Sequence, residues 1–309
     1  MAIADRRMNA PKDGRTVWQI NGLGDISGRY DAILCDIWGV LHNGVNSFSQ
    51  ASQALASFRR RGGVVVLVTN APRPSALVHR QLLKLGIPRD AFDAIVTSGD
   101  VTIGLIEERI NDPVLHIGPA RDFGLFDSAA EASGRQPNLV PLEEARYALC
   151  TGLRNDDTET PDDYEAELRV MAARLTPMIC ANPDVVIHRG ADLVYCAGAL
   201  ARRYEDIGGS VIYAGKPYPP IYRRALALAE HACGRAIDRH RVLTIGDGMI
   251  ADIAGAAGAE LDALLVTAGI HRDCLHPRTL DSPADPTEIR RLCIQYALWP
   301  VAAISSLRN

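Results

Sequence analysis

The sequence of 309 residues predicts an α/β fold with a parallel sheet and a second, inserted α/β domain. Two observations support this prediction. Short apolar strands alternate with amphipathic helices near both ends of the chain, and the section between them has a different pattern. We therefore expect residues 1–110 and 209–309 to form one core around an inserted domain at 111–208.

The first part of the core shows the alternation most clearly. Near-continuous apolar runs such as VVVLVTN are typical of strands that are buried on both faces, and the segments between them place apolar residues at helical spacing. The predicted order is strand 31–36, helix 49–63 with its stop at Gly62 and Gly63, strand 64–70, helix 75–85 and strand 93–98. Because strands that alternate with helices form βαβ units, this order predicts a Rossmann-like parallel sheet.

The inserted segment and the C-terminal part continue the alternation. After a strand-like run at 114–118 and the segment 147–153, we expect a helix with Thr160 as its N-cap and Pro161 at its first position. Its apolar stripe is Tyr164, Leu168, Met171 and Leu175. The C-terminal part is predicted to contain a helix over 221–234 and strands over 241–248 and 262–269.

Composition excludes several classes of partner. The net charge of -4 provides no basic surface for nucleic acid or for an anionic membrane, and no apolar run approaches the length of a membrane span. The first 15 residues lack the apolar region of an export signal. The 7 cysteines are scattered without a CxxC pair, as expected for buried thiols in a reducing compartment. We therefore expect a soluble cytoplasmic protein, with a homodimer left open.

Polar residues occur where the predicted core strands end. Asp36 ends the first strand, Thr69 and Asn70 end the second, Asp247 ends a later one, and Lys216 stands just before a helix. Because the carboxyl ends of such strands converge on one crevice, these side chains can meet there. A carboxylate can attack phosphorus, a second carboxylate helps to bind Mg²⁺, and hydroxyl, amide and ammonium groups can bind phosphate oxygens.

Four segments carry a family resemblance. They are DIWGVLHNG, VLVTNAPR, GKPYPPIY and GDGMIADIAGAAGAE, in that order along the chain. They resemble the four motifs of the haloacid dehalogenase-like hydrolases, in particular class IIA, the branch of NagD-like and 4-nitrophenylphosphatase-like enzymes. CANPD (180–184) and CAGALARRYEDIGG (196–209) resemble the C2-type cap domain of that class. The resemblance implies a haloacid dehalogenase core with the inserted segment as its cap, and it covers most of the chain from residue 30 to about 269.

The resemblance also implies Mg²⁺ as cofactor and a role for each matching residue. Asp36 is expected to be the nucleophile and a metal ligand, together with the backbone carbonyl of Trp38 and the carboxylate of Asp247. Asp252 is expected at the metal site, where it would orient metal-bound water. The expected phosphate-binding groups are Thr69, Asn70, Lys216 and the backbone at Gly39.

The ordinary alternatives differ between the core and the cap. A single aspartate at a strand end is more often a cap or loop residue and a single lysine is more often solvated, but the joint arrangement in the core favours a functional site. In the cap, the residues that could face the substrate are Asn182, Asp184, His188, Arg189 and Tyr195. There the structural interpretation is the stronger one, because NPD is a favourable turn sequence.

Trp38 departs from the family pattern. Phosphatases of this family normally carry an aspartate two positions after the nucleophile, which protonates the leaving oxygen and then activates water. An indole N–H cannot exchange a proton in this way at neutral pH. His42 could substitute as the acid, since its unperturbed pKa suits the task, although it would have to reach back from the following turn.

Three functions remain open at this point. The first is a Mg²⁺-dependent phosphatase of small phosphorylated metabolites, slowed by Trp38, that works through an aspartyl phosphate. The second is a protein that binds or senses a phosphorylated ligand without turnover, and the third is a phosphotransferase. We favour the phosphatase, because mere binding gives no evident use for the whole set of Asp36, Thr69, Lys216 and Asp247.

Overall fold

The computed structural model describes residues 16–189, 192–276 and 283–309. The strands, in chain order, are β1 (Trp18–Gln19), β2 (Ala32–Cys35), β3 (Val64–Thr69), β4 (Ala94–Thr97), β5 (Val114–Ile117), β6 (Tyr147–Cys150), β7 (Met178–Cys180), β8 (Val186–Arg189), β9 (Asp192–Tyr195), β10 (Val211–Tyr213), β11 (Val242–Gly246), β12 (Asp262–Val266) and β13 (Ala302–Ile304). They form a seven-stranded sheet, a four-stranded sheet and a two-stranded hairpin. The first 15 residues of the predicted core lie outside the described residues.

The helices lie between these strands. In chain order they are α1 (Gly24–Ser27), α2 (Ser49–Arg60), α3 (Ser75–Lys84), α4 (Ser98–Glu107), α5 (Gly124–Ser133), α6 (Glu165–Ala173), α7 (Ala197–Asp206), α8 (Pro219–Cys233), α9 (Ala254–Gly258), α10 (Arg272–Leu275) and α11 (Pro286–Tyr296). Short 3₁₀ turns cover Arg89–Ala91, Ala120–Asp122, Pro161–Tyr164 and Arg239–Arg241, and a π-helical turn covers Met249–Ile253. None of the described helices is long and apolar enough to cross a membrane.

The seven-stranded sheet is parallel throughout and has the order β1-β13-β12-β11-β2-β3-β4. This confirms the predicted α/β fold. The chain runs from β2 outward through β3 and β4 in one direction, whereas the C-terminal strands extend from β11 in the other direction. The strand order therefore reverses between β2 and β11, and a crevice opens beyond the carboxyl ends of these two strands.

Both faces of the large sheet are buried, which explains the continuous apolar runs. In β2, Ile33 and Cys35 belong to the apolar cluster on one face, while Ala32 and Leu34 belong to the cluster on the other. Helices α2 and α8 provide residues such as Leu55 and Ala225 to these two clusters. A strand with two buried faces has no polar alternation, so its sequence is apolar at every position.

The four-stranded sheet is also parallel, with the order β10-β7-β6-β5. Because β10 pairs with β7, this sheet continues past residue 208 to Tyr213. The division of the chain into a core of 1–110 and 209–309 and a cap of 111–208 stays a prediction. Beside this sheet, β8 and β9 form an antiparallel hairpin that the sequence pattern did not indicate.

One predicted helical position is wrong. Tyr164, Leu168 and Met171 are buried as expected, but α6 ends at Ala173. Leu175 lies beyond the helix end with a φ of 56°, and it is 85% exposed. The apolar spacing continued past the point at which the backbone leaves the helix.

Candidate active site

The predicted core residues meet at the crevice between β2 and β11. Asp36 directly follows β2, Asp247 directly follows β11, and Thr69 is the last residue of β3. Lys216 lies in the segment between β10 and α8. Together with Asp252 they line a cavity of about 580 Å³, which we call the reaction cavity. Residues that are up to about two hundred positions apart in sequence are brought together here because parallel strands end at one edge.

Lys216 is the electrostatic centre of the cavity. Its Nζ donates to Oδ1 of Asp36 and to Oδ1 of Asp252, at 2.6 Å in each case, and all three residues are buried. Burial alone would lower the pKa of Lys216, but the carboxylates of Asp252 and Asp36 raise it well above its usual value. The lysine is therefore a fixed cation directly beside the predicted nucleophile.

Three buried carboxylates surround one point in the reaction cavity. Asp36, Asp247 and Asp252 each offer an oxygen, and these oxygens lie within 4.8 Å of one another. Burial raises the pKa of Asp36 well above its ordinary value, and burial followed by the Asp252 charge raises the pKa of Asp247 to about 7. Among the described ion pairs, Lys216 contacts Asp36 and Asp252 but not Asp247. Hard oxygen donors with excess negative charge fit a divalent cation such as Mg²⁺.

Two glycines allow the backbone to approach Asp247. Gly39 has a φ of 83°, and a Cβ at this position would lie 2.1 Å from Oδ2 of Asp247. A Cβ at Gly269 would lie 2.0 Å from the same oxygen. Next to Gly269, the backbone N–H of Ile270 donates to this oxygen at 2.7 Å. The Asp247 carboxylate is therefore enclosed by backbone, and a side chain at either glycine would displace it.

Asn70 connects three parts of the site. Its Oδ1 accepts from the backbone N–H of Lys216 at 2.7 Å, and its Nδ2 donates to the carbonyl of Lys216 at 3.1 Å. The same Nδ2 donates to Oδ1 of Asp184 at 2.9 Å. The predicted phosphate ligand Asn70 thus holds the Lys216 backbone. Thr69 is buried, lines the reaction cavity, and its Oγ1 accepts from the N–H of Ala71 at 3.2 Å.

The cap candidates have different surroundings. Asp184 lines the reaction cavity, and burial raises its pKa. Asn182 is buried, and its Oδ1 accepts from the N–H of Asp184 at 3.1 Å. Arg189 forms ion pairs with acidic residues of a cap loop, and Tyr195 is 42% exposed. The side chain of His188 lies outside the described part of the structure.

Trp38 packs against its own turn. Its ring meets that of His42 edge-on, with centroids 5.0 Å apart, and a Cβ at Gly44 would lie 2.7 Å from the indole. Nδ1 of His42 accepts from the N–H of Gly44 at 2.9 Å. Burial and then the Arg73 charge lower the pKa of His42 to about 4. His42 is therefore a neutral acceptor that supports the turn, which does not suit the acid role considered for it.

A second cavity, of about 370 Å³, adjoins the reaction cavity. The residues that line both are Trp38, Thr69, Asn70, Asp184 and Ile187. Sequence reasoning missed most of the charged residues of the second cavity, among them Arg73 and Asp122. Arg73 stands in the segment VLVTNAPR and could have been considered, whereas Asp122 has no signal in the sequence.

The fold and the site together define an α/β enzyme. Its carboxylates and a lysine cluster in the crevice beyond the carboxyl ends of the sheet strands. A family model for the haloacid dehalogenase-like hydrolases matches residues 33–132, and a related HAD-hydrolase-like model matches residues 213–290. A solved hydrolase of the haloacid dehalogenase-like family from Brucella suis is 42% identical, with 93% of this chain and 99% of that chain covered and a TM-score of 0.81. The chain belongs to the haloacid dehalogenase-like hydrolases.

More distant relatives agree with the class IIA resemblance. The sugar-phosphatase AraL of Bacillus subtilis is 27% identical over 267 residues, which cover 83% of this chain and 92% of AraL. NagD from E. coli is 20% identical, with 90% and 96% of the two chains covered and a TM-score of 0.61, and so shows the shared fold. The predicted superfamily of haloacid dehalogenase-like hydrolases is confirmed, and so is the predicted enzyme class of phosphoric monoester hydrolase.

Proposed function

We propose that this protein is a Mg²⁺-dependent phosphatase of small phosphorylated metabolites that works through an aspartyl phosphate on Asp36. The observation that carries the proposal is the buried cluster of Asp36, Asp247 and Asp252, with Lys216 in contact with two of the three carboxylates. The 27% identity to a sugar-phosphatase supports a phosphorylated small molecule as the substrate. The finer predictions of a cytoplasmic location, a possible homodimer and no nucleic-acid or membrane partner belong to this proposal.

In the first step, an oxygen of Asp36 attacks phosphorus while the bond from phosphorus to the leaving oxygen breaks. The ammonium of Lys216 and the hydroxyl of Thr69 stabilise the charge on the phosphoryl oxygens, whereas the N–H of Gly39 already donates to the carbonyl of His42 at 2.8 Å. Asp36, Asp247, Asp252 and the backbone carbonyl of Trp38 would hold Mg²⁺. Once bound, the cation offsets the repulsion between the carboxylates and a dianionic phosphate.

The second step hydrolyses the aspartyl phosphate and regenerates the free enzyme. Water attacks the phosphorus of the aspartyl phosphate, the bond from phosphorus to the Asp36 oxygen breaks, and inorganic phosphate leaves. The leaving oxygen of the first step must gain a proton, and the attacking water must lose one. Trp38 can do neither, and His42 is held as a neutral acceptor. We therefore propose slow hydrolysis, particularly for substrates with poor leaving groups.

A screen of phosphorylated metabolites with Mg²⁺, with released phosphate as the readout, tests the proposal. We expect turnover that disappears on addition of EDTA and returns when Mg²⁺ is added in excess. The Asp36→Asn variant, purified in the same way, is the control for contaminating phosphatases. Full activity in metal-free buffer, or equal activity in the variant, would overturn the proposed site.

One observation favours a second candidate function. Trp38 occupies the position at which a catalytic carboxylate is expected, and its ring is fixed against His42 and Gly44. A non-hydrolytic binding protein, or a transferase whose acceptor is not water, would need no acid–base group at this position. Tight binding of phosphorylated compounds to the wild-type protein, with no phosphate release and no covalent labelling of Asp36, would favour the binding function.

A further inference from the structure

The second cavity lies between the large sheet and the inserted segment, next to the reaction cavity. Trp38 and Asp184 border both spaces, so a group attached to a phosphate at Asp36 can extend past the indole into the second cavity. Its volume of about 370 Å³ is within the usual range for small-molecule sites, which is about 300–1,000 Å³. The second cavity therefore has the size and the position for a leaving group.

Arg73 is held rigidly at one side of this cavity. Its backbone lies against Gly99, where a Cβ would come within 2.4 Å of it. The loop is also fixed by Asp100, whose Oδ1 accepts from the N–H of Ser75 at 3.0 Å. The guanidinium donates to Oε1 of Gln81 at 2.7 Å, and among the described residues no carboxylate is in ion-pair contact with it. Most of its N–H donors are therefore available to a ligand.

Asp122 lies at the other side of this cavity, at the end of the 3₁₀ turn Ala120–Asp122. It is only 3% exposed and lines the second cavity, and burial raises its pKa to about 6 although the charge of Arg121 opposes this rise. The Thr151 oxygen lies 3.0 Å from Nε2 of His116, and burial followed by the Arg154 charge lowers the pKa of His116 to about 4. Thr151 is also buried and lines this cavity, so a hydroxyl and a carboxyl group face it together.

We propose that Arg73 and Asp122 determine specificity by binding hydroxyl groups of the substrate's leaving group, so that the preferred substrate is a polyhydroxylated phosphate monoester. A hydroxyl group accepts a hydrogen bond from the guanidinium and donates one to the carboxylate. It therefore matches a half-buried cation and a buried anion that line the same cavity, with no ion pair between them among the described contacts. This inference rests on the proposed phosphatase function and specifies its substrate class.

The charges around the second cavity disfavour an anionic leaving group. Arg121 and Arg189 already pair with Asp156 at 2.5 Å and 2.6 Å, and Arg189 also pairs with Asp157. Among the described residues that line this cavity, the charged ones without such an ion pair are therefore Arg73, Asp122 and Asp184. A carboxylate on the leaving group would meet two acidic side chains and one cation, whereas a neutral hydroxyl group can bind to either kind of residue.

The test compares substrates as ratios of kcat/KM. Ribose 5-phosphate and glucose 6-phosphate carry several hydroxyl groups, 2-phosphoglycolate carries a carboxylate, and 4-nitrophenyl phosphate carries neither. We expect the sugar phosphates to be preferred over 2-phosphoglycolate. Arg73→Met and Asp122→Asn should each lower the ratio of sugar phosphate to 4-nitrophenyl phosphate by about 10- to 100-fold, as expected for one hydrogen bond to a charged group.

Matched controls separate this effect from a general loss of charge. Arg80 and Asp127 are exposed residues of α3 and α5, and Arg80→Met and Asp127→Asn should leave the ratio unchanged. If Arg73→Met prevents folding, the nearly isosteric Asp122→Asn still provides the test. A preference for 2-phosphoglycolate, or an equal effect of Arg73→Met and Arg80→Met on the ratio, would overturn the assignment.

A second measurement does not depend on turnover. In the Asp36→Asn background, calorimetry with Mg²⁺ gives the affinity for ribose 5-phosphate relative to inorganic phosphate. We expect Arg73→Met to remove most of the advantage of the sugar phosphate. The wild-type protein could release no phosphate while the higher affinity for ribose 5-phosphate is still present and is lost in Arg73→Met. In that case the phosphatase proposal fails and the leaving-group site stands. If the advantage is insensitive to Arg73, the site fails whatever the catalytic activity.

Discussion

Two neighbouring cavities in this protein hold their charged residues in different ways. In the reaction cavity, Lys216 contacts Asp36 and Asp252 at 2.6 Å each, and all three side chains are buried in the core. In the second cavity, Arg73 comes from the loop after β3 and Asp122 from the inserted segment, and both line the cavity wall. The first arrangement is suited to preorganised chemistry. The second arrangement leaves hydrogen-bonding groups free for a ligand. Substitutions that change substrate preference can therefore fall on residues other than those that carry out phosphoryl transfer.

The strongest test of this separation is the Asp36→Asn substitution. Loss of the nucleophile should reduce kcat by at least about 10⁴-fold, because an amide cannot form the aspartyl phosphate. The change is nearly isosteric, so the fold should be retained. Steady-state phosphate release and a melting curve measure the two effects. If the variant keeps wild-type turnover, the nucleophile is another residue, and the reaction cavity does not have the catalytic role assigned to it.

The next largest effect concerns Trp38, which borders both cavities. If the missing carboxylate limits turnover, Trp38→Asp should raise kcat by roughly 10²–10⁴-fold, the usual contribution of general acid–base catalysis. The gain should be greater for alkyl phosphates than for 4-nitrophenyl phosphate, whose leaving group needs little protonation. Loss of the packed indole should also lower stability by about 3 kcal/mol.

Trp38→Phe is the matched control, since it keeps an aromatic ring without adding a carboxylate. It should lose some stability and gain no activity. A well-folded Trp38→Asp protein with unchanged turnover of alkyl phosphates would mean that the tryptophan is part of the working site. The binding or transferase function would then be favoured over hydrolysis.

Much of the fold could be predicted because burial on both faces makes a strand apolar throughout. The predicted strand 64–70 corresponds to β3 (Val64–Thr69), and the predicted helix 75–85 to α3 (Ser75–Lys84). The structure also brings Asp36, Thr69 and Lys216 to one crevice, although their individual roles stay predictions. That convergence was predictable because the carboxyl ends of parallel strands share one edge of the sheet.

Other features depend on contacts between distant residues and left no local pattern. Asn70 donates to Asp184, which is 114 positions away. Asp122 enters the site only because the folded chain brings it to the same cavity as Arg73. The pairing of β10 with β7 extends the second sheet beyond the predicted end of the cap. The exposed Leu175 shows the opposite case, in which apolar spacing continued although the helix had ended.

A smaller effect is expected for Asn70, which links Lys216 to Asp184. Asn70→Ala would leave the backbone N–H and carbonyl of Lys216 without their partner and would remove the hydrogen bond to Asp184. We expect kcat/KM to fall about 10- to 100-fold through displacement of Lys216, the equivalent of one or two buried hydrogen bonds. The exposed Asn138→Ala is the control. If Asn70 instead binds phosphate alone, affinity for inorganic phosphate should fall as strongly as kcat/KM.

The smallest predicted effect concerns stability and pH rather than turnover. Burial and the Arg73 charge lower the pKa of His42 to about 4 in the folded protein, against about 6.5 in the unfolded chain. The unfolded chain therefore binds more protons between these values. The contribution of His42 to stability is fully present above pH 6.5, and it is lost as the pH falls towards 4.

At pH 5 this loss amounts to roughly 2 kcal/mol, because the pH then lies about 1.5 units below the unfolded pKa. His42→Asn can keep an acceptor for the N–H of Gly44 but does not titrate. Urea unfolding at pH 7 and pH 5 should show that the variant loses roughly 2 kcal/mol less than the wild type between the two conditions. The exposed His240→Asn should behave like the wild type. If His42→Asn loses as much stability as the wild type, His42 must accept a proton in the folded state, and it would again be a candidate for the missing acid beside Trp38.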